Sequence, residues 1–276
     1  MPNTTHTGSL DDWFDSIHYQ RLYGHRNQTE AASFIDALIR QLDLAMGARL
    51  LDVACGTGRH AKHLASKGFQ VTGFDLAAAS VRKAREAEQP GLQFFQHDMR
   101  RPFGKTKFDY VFNFFTSFGY FDSRAEHLAA LRNMADCLTS DGALVLDYMN
   151  VYNVEAHLVP REVKEIDKFA YHITRWSDRN HIFKKIRVEP AEFGESYEYV
   201  ERVAKFTLQH FEQMLEQCGL EISEVYGDYA LKPYHMFDSP RLILVARRSE
   251  TSDTIALRMN GEFESTDTTQ ELCDVI

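Results

Sequence analysis

Three acids stand at or just past the ends of short apolar runs: Asp52 in LLDVACGTGRH, Asp75 in VTGFDLA and Asp98 in FFQHDMR. Gly56 and Gly58 follow the first acid, and the absence of side chains at both lets another molecule lie against the backbone. Where a strand enters such a loop and a helix leaves it, the free amides of the helix start face whatever binds there. Asp52 narrows the charge of that ligand. A carboxylate four residues before the first glycine opposes a pyrophosphate and favours a cation. Asp75 adds a second carboxylate at the end of the next strand. Further on, NFFTSFGYF (Asn113 to Phe121) combines aromatic faces with hydroxyls, a mixture able to face a cation while excluding water.

These residues need a scaffold that brings strand ends together. Phe34, Ile35, Leu38, Ile39 and Leu42 recur at helical spacing, which predicts a helix over 31–42. The pattern then alternates. Strands are expected over 48–53, 69–75, 92–96, 108–114 and 143–148, with helices over 59–67, 79–88 and from the capping box SRAE (Ser123 to Glu126) to Leu138. Asp141-Gly142 reads as the turn into the last of these strands. Strands apolar on both faces that alternate with helices imply a doubly wound α/β fold with a mostly parallel sheet. From 151 to 206 the period becomes two, as in HIFKKIRVEP and SYEYVERVAKF, so an antiparallel β meander is expected as an insertion. A helix over 208–218 and strands over 222–229 and 242–246 would close the core.

The spacing acid-x-x-x-G-x-G, met by Asp52, Gly56 and Gly58, resembles the first motif of class I S-adenosylmethionine-dependent methyltransferases over roughly Ala48 to Asn150. That resemblance implies a seven-stranded Rossmann-like sheet and S-adenosylmethionine as cofactor. It places Asp75 on the ribose hydroxyls, with Leu76 beside it. It puts Asp98 near the adenine amino group, Met99 against the ring, and Asn113 at the next strand end. Ala54 joins the cofactor set, although many members have glycine there. TSFGYF resembles a segment found in a branch of the family that acts on small molecules. Similar enzymes close an N-terminal segment over the cofactor, which makes Tyr19 and Tyr23 in YQRLYGHR lid residues and Arg26 a carboxylate clamp. The N-P-P-Y pattern of enzymes that methylate nucleic-acid bases is absent.

The acceptor itself is less legible. Methyl transfer to nitrogen or oxygen of a small metabolite is the expected reaction, and Tyr120, Tyr148 and His235, with His181, are the candidate bases. Other readings are an NAD-dependent oxidoreductase using GTGRHA and Asp75, or a non-catalytic scaffold that binds S-adenosylmethionine. Composition trims the list of partners. A net charge of −9 disfavours nucleic acid, and no apolar run approaches a membrane span. Four scattered cysteines fit a reducing, cytoplasmic setting, and His60 with His63 lacks further metal ligands, so no metal is expected. The expected units are a lid over 1–30, a cofactor-binding core over 31–150, a substrate-side insertion over 151–206, the rest of the core over 207–248 and a polar tail over 249–276. The oligomeric state is not readable at this level.

Overall fold

The computed structural model describes residues 5–24, 28–104, 106–191 and 194–249. In chain order the elements are β1 (Thr5–Thr7), α1 (Leu10–Asp15), α2 (Ile17–Gly24), α3 (Gln28–Gln41), β2 (Arg49–Val53), α4 (Arg59–Ser66), β3 (Gln70–Asp75), α5 (Ala78–Arg85), β4 (Leu92–Gln96), β5 (Phe108–Asn113), α6 (Arg124–Asp136) and β6 (Leu138–Met149). They continue with α7 (Val151–Ala156), β7 (Arg161–Ile166), β8 (Phe169–Ser177), β9 (His181–Pro190), β10 (Ser196–Ala204), α8 (Leu208–Glu216), β11 (Leu220–Tyr226) and β12 (Arg241–Arg248).

The core is a seven-stranded sheet in the order β11-β12-β6-β5-β2-β3-β4. Only β12 runs against its neighbours, so the sheet is mostly parallel and doubly wound, as the alternation predicts. One face buries Phe34, Ile35 and Leu38 of α3 with Ala61 and Leu64 of α4; the other buries Leu131 and Met134 of α6 with Phe211 and Met214 of α8. Each such large side chain, fully removed from water, contributes about 1.5–3 kcal/mol.

Helix α6 begins at the expected box: Ser123 Oγ accepts from the Glu126 amide while the Glu126 carboxylate accepts from the Ser123 amide. It stops two residues before Leu138, which already lies in β6 and pairs with Phe108 of β5. Asp141-Gly142 is therefore not a separate turn before a strand. The register shifts between Phe108 and Tyr110, and β6 absorbs the extra residues without leaving the sheet.

The meander is real, and larger than its sequence announces. Strands β10, β9, β8 and β7 form an antiparallel run, and β1 adds to β10 in parallel to make five. Its inner face, Tyr171, Ile173, Ile186, Val188 and Tyr199, packs around Trp13 and Leu22 of the N-terminal helices. No described helix is long and apolar enough to cross a membrane. Residues 250–276 of the tail, like Arg26, lie outside the described residues.

Candidate functional site

Parallel pairing brings the acids to one end of the sheet. Asp52 pairs with Gly73 and Phe112, Val53 with Asn113, and Asp75 with Gln96. The loop from Ala54 to Gly58 turns back over that end. Its anchor is Asp75, whose Oδ2 accepts from the Gly56 amide at 2.7 Å and whose Oδ1 accepts from the Ala77 amide at 2.9 Å. The Gly56 amide that would greet a phosphate is thus already committed to a carboxylate. Burial raises the Asp75 carboxyl above its ordinary range, against the amides of Ala77, Gly56 and Leu76.

Asp52 is in a more costly position. It is 1% exposed, and its Oδ2 has no hydrogen-bond partner among the described residues. Burial first, and then the charge of Asp75, push its carboxyl up to about 7; the Ala61 amide and Arg59 pull the other way. On the neighbouring strand Asn113 donates Nδ2 to the Val53 carbonyl at 3.1 Å and leaves its buried Oδ1 unpaired. A buried acceptor without a donor is destabilising by about 1–3 kcal/mol, and here two such acceptors stand near the ends of the adjacent strands β2 and β5.

The two glycines differ in what they leave open. Gly56 has φ +55°, and a Cβ built there meets nothing within 4 Å. Gly58 has φ +78°, and its Cβ would lie 2.6 Å from the Phe94 ring and 3.4 Å from the Ala84 side chain. The expectation that Gly58 makes room for a ligand is corrected accordingly. It lets α4 approach β4 and α5, and only Gly56 faces open space. Gly58→Ala should lower stability by about 2 kcal/mol through overpacking and left-handed strain. Chemical denaturation would measure it, and an unchanged midpoint would refute the packing role. Ala54, at φ +58°, holds a left-handed conformation that costs a non-glycine residue roughly 1–2 kcal/mol.

Beyond Asp75 a cavity of about 290 Å³ is lined by Leu76, Gln96, His97, Asp98 and Arg101. Leu76, at 42% exposed, presents an apolar surface there. Asp98 is less available than its motif implies, because Arg100 binds its carboxylate through Nε at 3.1 Å and Nη2 at 2.8 Å and reaches on to Glu126. Burial would raise the Asp98 carboxyl, but the hydrogen bonds and charge of Arg100 outweigh it and hold it below the usual range. Met99 packs into the core with Phe74, Phe103 and Met134, and its carbonyl accepts from Asn133.

On the other side, Tyr19, Tyr23 and Tyr120 converge in one aromatic group. Phe14 meets the rings of Tyr19 and Tyr120 edge-on at 5.3 Å each, and Trp13 lies 5.5 Å from Tyr19 and 6.3 Å from Tyr23. Beneath them Glu201 accepts from Trp13 Nε1 at 2.7 Å and from the Tyr23 hydroxyl at 2.8 Å. Burial, then Glu201, then Tyr120 hold the Tyr23 phenol protonated well above its ordinary range. Helix α1 also crosses to the cofactor side, where Asp15 accepts from the Ala79 amide at the start of α5.

Three proposed bases do not join this group. Tyr148 is fully buried and donates its hydroxyl to the Ala204 carbonyl at 2.5 Å, so it ties β6 to the meander. His235 is an exposed turn residue whose amide donates to Ser239 Oγ. His181 heads β9 beside Asp178 at the hairpin turn. His63 instead pairs with Asp36 at 2.8 Å, and no group of three or more metal-ligating side chains gathers among the described residues.

Sequence reasoning missed Glu201, Asp147 and Arg241. The available signal was charge inside an apolar strand, as in LVLDYM, since a buried carboxylate demands a partner.

Known proteins resemble this chain in sequence and in fold. A profile described as a methyltransferase domain matches residues 50–142. A dTDP-3-amino-3,6-dideoxy-alpha-D-glucopyranose N,N-dimethyltransferase of Streptomyces fradiae is 28% identical over 235 residues, 82% of this chain and 89% of that protein. CalS10 from Micromonospora echinaspora, an amino pentose methyltransferase whose structure holds SAM, superposes with a TM-score of 0.64 at 25% identity, covering 85% of this chain and 97% of that one. A S-adenosylmethionine-dependent methyltransferase from Clostridium acetobutylicum shares the fold with a TM-score of 0.71 at 18% identity, covering 84% and 96%.

Proposed function

We propose that this chain, a class I S-adenosylmethionine-dependent methyltransferase, transfers the methyl group to an amino nitrogen of a small polar metabolite. When bound, S-adenosylmethionine supplies an electrophilic methyl carried by a sulfonium leaving group. The chain's part is to bind, orient and exclude water. Asp52 and Asn113 carry the cofactor reading: their orphan acceptors would take the α-ammonium, a donor of three hydrogen bonds. Gly56 would lie against the ligand, and Asp75 would use its remaining lone pairs on the ribose hydroxyls. Leu76 and the rim of the 290 Å³ cavity would receive the purine.

Nitrogen is favoured over oxygen because two relatives, aligned over 82% and 64% of the chain, are named as N,N-dimethyltransferases of amino sugars, and because aromatic faces stabilise a nitrogen that becomes positive as it is alkylated. Tyr19, Tyr23 and Tyr120 supply such faces. The test is formation of S-adenosylhomocysteine with matched amino sugars, simple amines and hydroxyl analogues. Turnover of amines alone is the expected result; turnover confined to hydroxyl acceptors, or none with any, would overturn the proposal.

Asp75→Asn should weaken cofactor binding about tenfold. The amide keeps one acceptor oxygen for the loop and loses the charge-assisted bond to the ribose. Calorimetry that returns the parent's affinity would remove Asp75 from the ribose site.

A further inference from the structure

The segment that leads to Tyr120 opens on an unusual turn. Phe115 and Thr116, neither of them glycine, both lie in the left-handed region at φ +61° and +58°. Two adjacent residues of this kind do not hold such a conformation on their own; surrounding contacts must impose it. Those contacts converge on Asp147 of β6, which is fully buried. Its Oδ2 accepts from the Phe115 amide at 2.8 Å and from the Tyr229 hydroxyl at 3.2 Å, and its carbonyl accepts from the Thr116 amide at 2.9 Å. Its Oδ1 accepts from Arg241 Nε at 2.7 Å, and Arg241 Nη2 reaches on to Thr116 Oγ1 at 3.0 Å. Thus the ion pair grips both residues of the turn. The turn in turn sets the Phe115 ring between the Arg59 guanidinium, 4.6 Å from its centroid, the His60 ring at 5.5 Å and the Tyr229 ring at 5.5 Å. Arg59 and His60 start the helix that follows the glycine loop, so the turn links the cofactor side to the acceptor side.

We infer that Asp147 and Arg241 are positioning residues for methyl transfer: they hold Phe115–Thr116 left-handed and thereby fix where the Phe114–Phe121 segment, with Tyr120, stands relative to the cofactor. The inference rests on the proposed function, since it concerns the same site. Neither residue touches the reacting atoms in this account. Their loss should appear in kcat and leave cofactor affinity unchanged.

The test is a double-mutant cycle assayed well below the melting temperature of every variant. Asp147→Asn should lower kcat at least tenfold with cofactor Kd within twofold. In a Thr116→Gly background, where the left-handed penalty is removed at 116 and remains only at Phe115, the same substitution should lower kcat by a clearly smaller factor, threefold or less. An equal loss in both backgrounds, or a parent-like kcat for Asp147→Asn, overturns the inference. If Asp147→Asn fails to fold, Arg241→Lys takes its place in the cycle, because it keeps the charge and loses the planar fork that spans Asp147 and Thr116. A second readout does not need an acceptor. Chymotrypsin should cut after Phe115 faster in Asp147→Asn or Arg241→Lys than in the parent, with cooperative thermal unfolding retained. If no acceptor is ever methylated, the proposed function fails, and equal cleavage in parent and variants would independently sink the inference.

Discussion

Affinity for S-adenosylmethionine should rise about fiftyfold between pH 5 and pH 7, and Asp52→Asn should flatten most of that rise. The cause is the carboxyl that burial and Asp75 push up to about 7. A cationic ligand binds the ionised form, so below the pKa each unit of pH costs about a factor of ten in affinity. The sign for stability is the reverse. The folded-state pKa lies above the unfolded value of 3.8, so the free enzyme retains a proton that the unfolded chain releases. Without ligand, stability should therefore fall as pH rises from about 4 to about 7, and the amide variant should lose that dependence. Near pH 8 the affinity curve turns over as the cofactor's own α-amino group, with an ordinary pKa of about 7.7–8.0, loses its proton. Calorimetry across the range would show net proton release on binding below pH 7. A flat profile in the parent, or an undiminished slope in Asp52→Asn, would mean that Asp52 does not meet a cation.

The strand ends that form the candidate cofactor site were legible because their information is local. Asp52, Gly56 and Gly58 fall within seven consecutive residues, and the strand before them and helix after them each carry their own periodicity. Parallel pairing then places the carboxyl ends of β2, β3 and β4 on one side, so Asp75 and Asp98 could be located without knowing any contact. What local pattern did not convey was the partner of each group. Gly58 fits the motif as well as Gly56 does, and only the approach of Phe94, thirty-six residues on, tells that its missing side chain serves packing. Asp98 likewise fits its motif, while Arg100, two residues away, occupies its carboxylate.

The acceptor half depends on long-range meetings. Glu201 is joined to Trp13 across 188 residues, and Asp147 to Arg241 across 94. Neither pair has a periodicity. Tyr148 was a candidate base with no motif behind it, and its side chain points into the core. His235 had only its place between the last two strands to recommend it, and exposure there leaves it outside the group that gathers around Tyr120. A hydrogen-bonding side chain is thus a weak signal until the element that points it is known.

Tyr120→Phe should lower kcat 10- to 100-fold and leave cofactor affinity within about twofold. The ring lies at the far end of the segment that Asp147 and Arg241 hold, edge-on to Phe14 of the N-terminal helices and near enough to Tyr23 to act on its phenol. Removing only the hydroxyl keeps these ring contacts, so the fold and the aromatic enclosure survive the change. What is lost is one hydrogen bond to an acceptor nitrogen that must be aligned with the transferring methyl, and misalignment matters most in the transition state. A uniform-binding role would raise KM with kcat untouched, so the two parameters separate the cases. The opposing account makes Tyr120 a packing residue whose hydroxyl does no chemistry. On that account Tyr120→Phe is silent while Tyr120→Ala loses activity by loosening α1, and a kcat for Tyr120→Phe within twofold of the parent would decide for it.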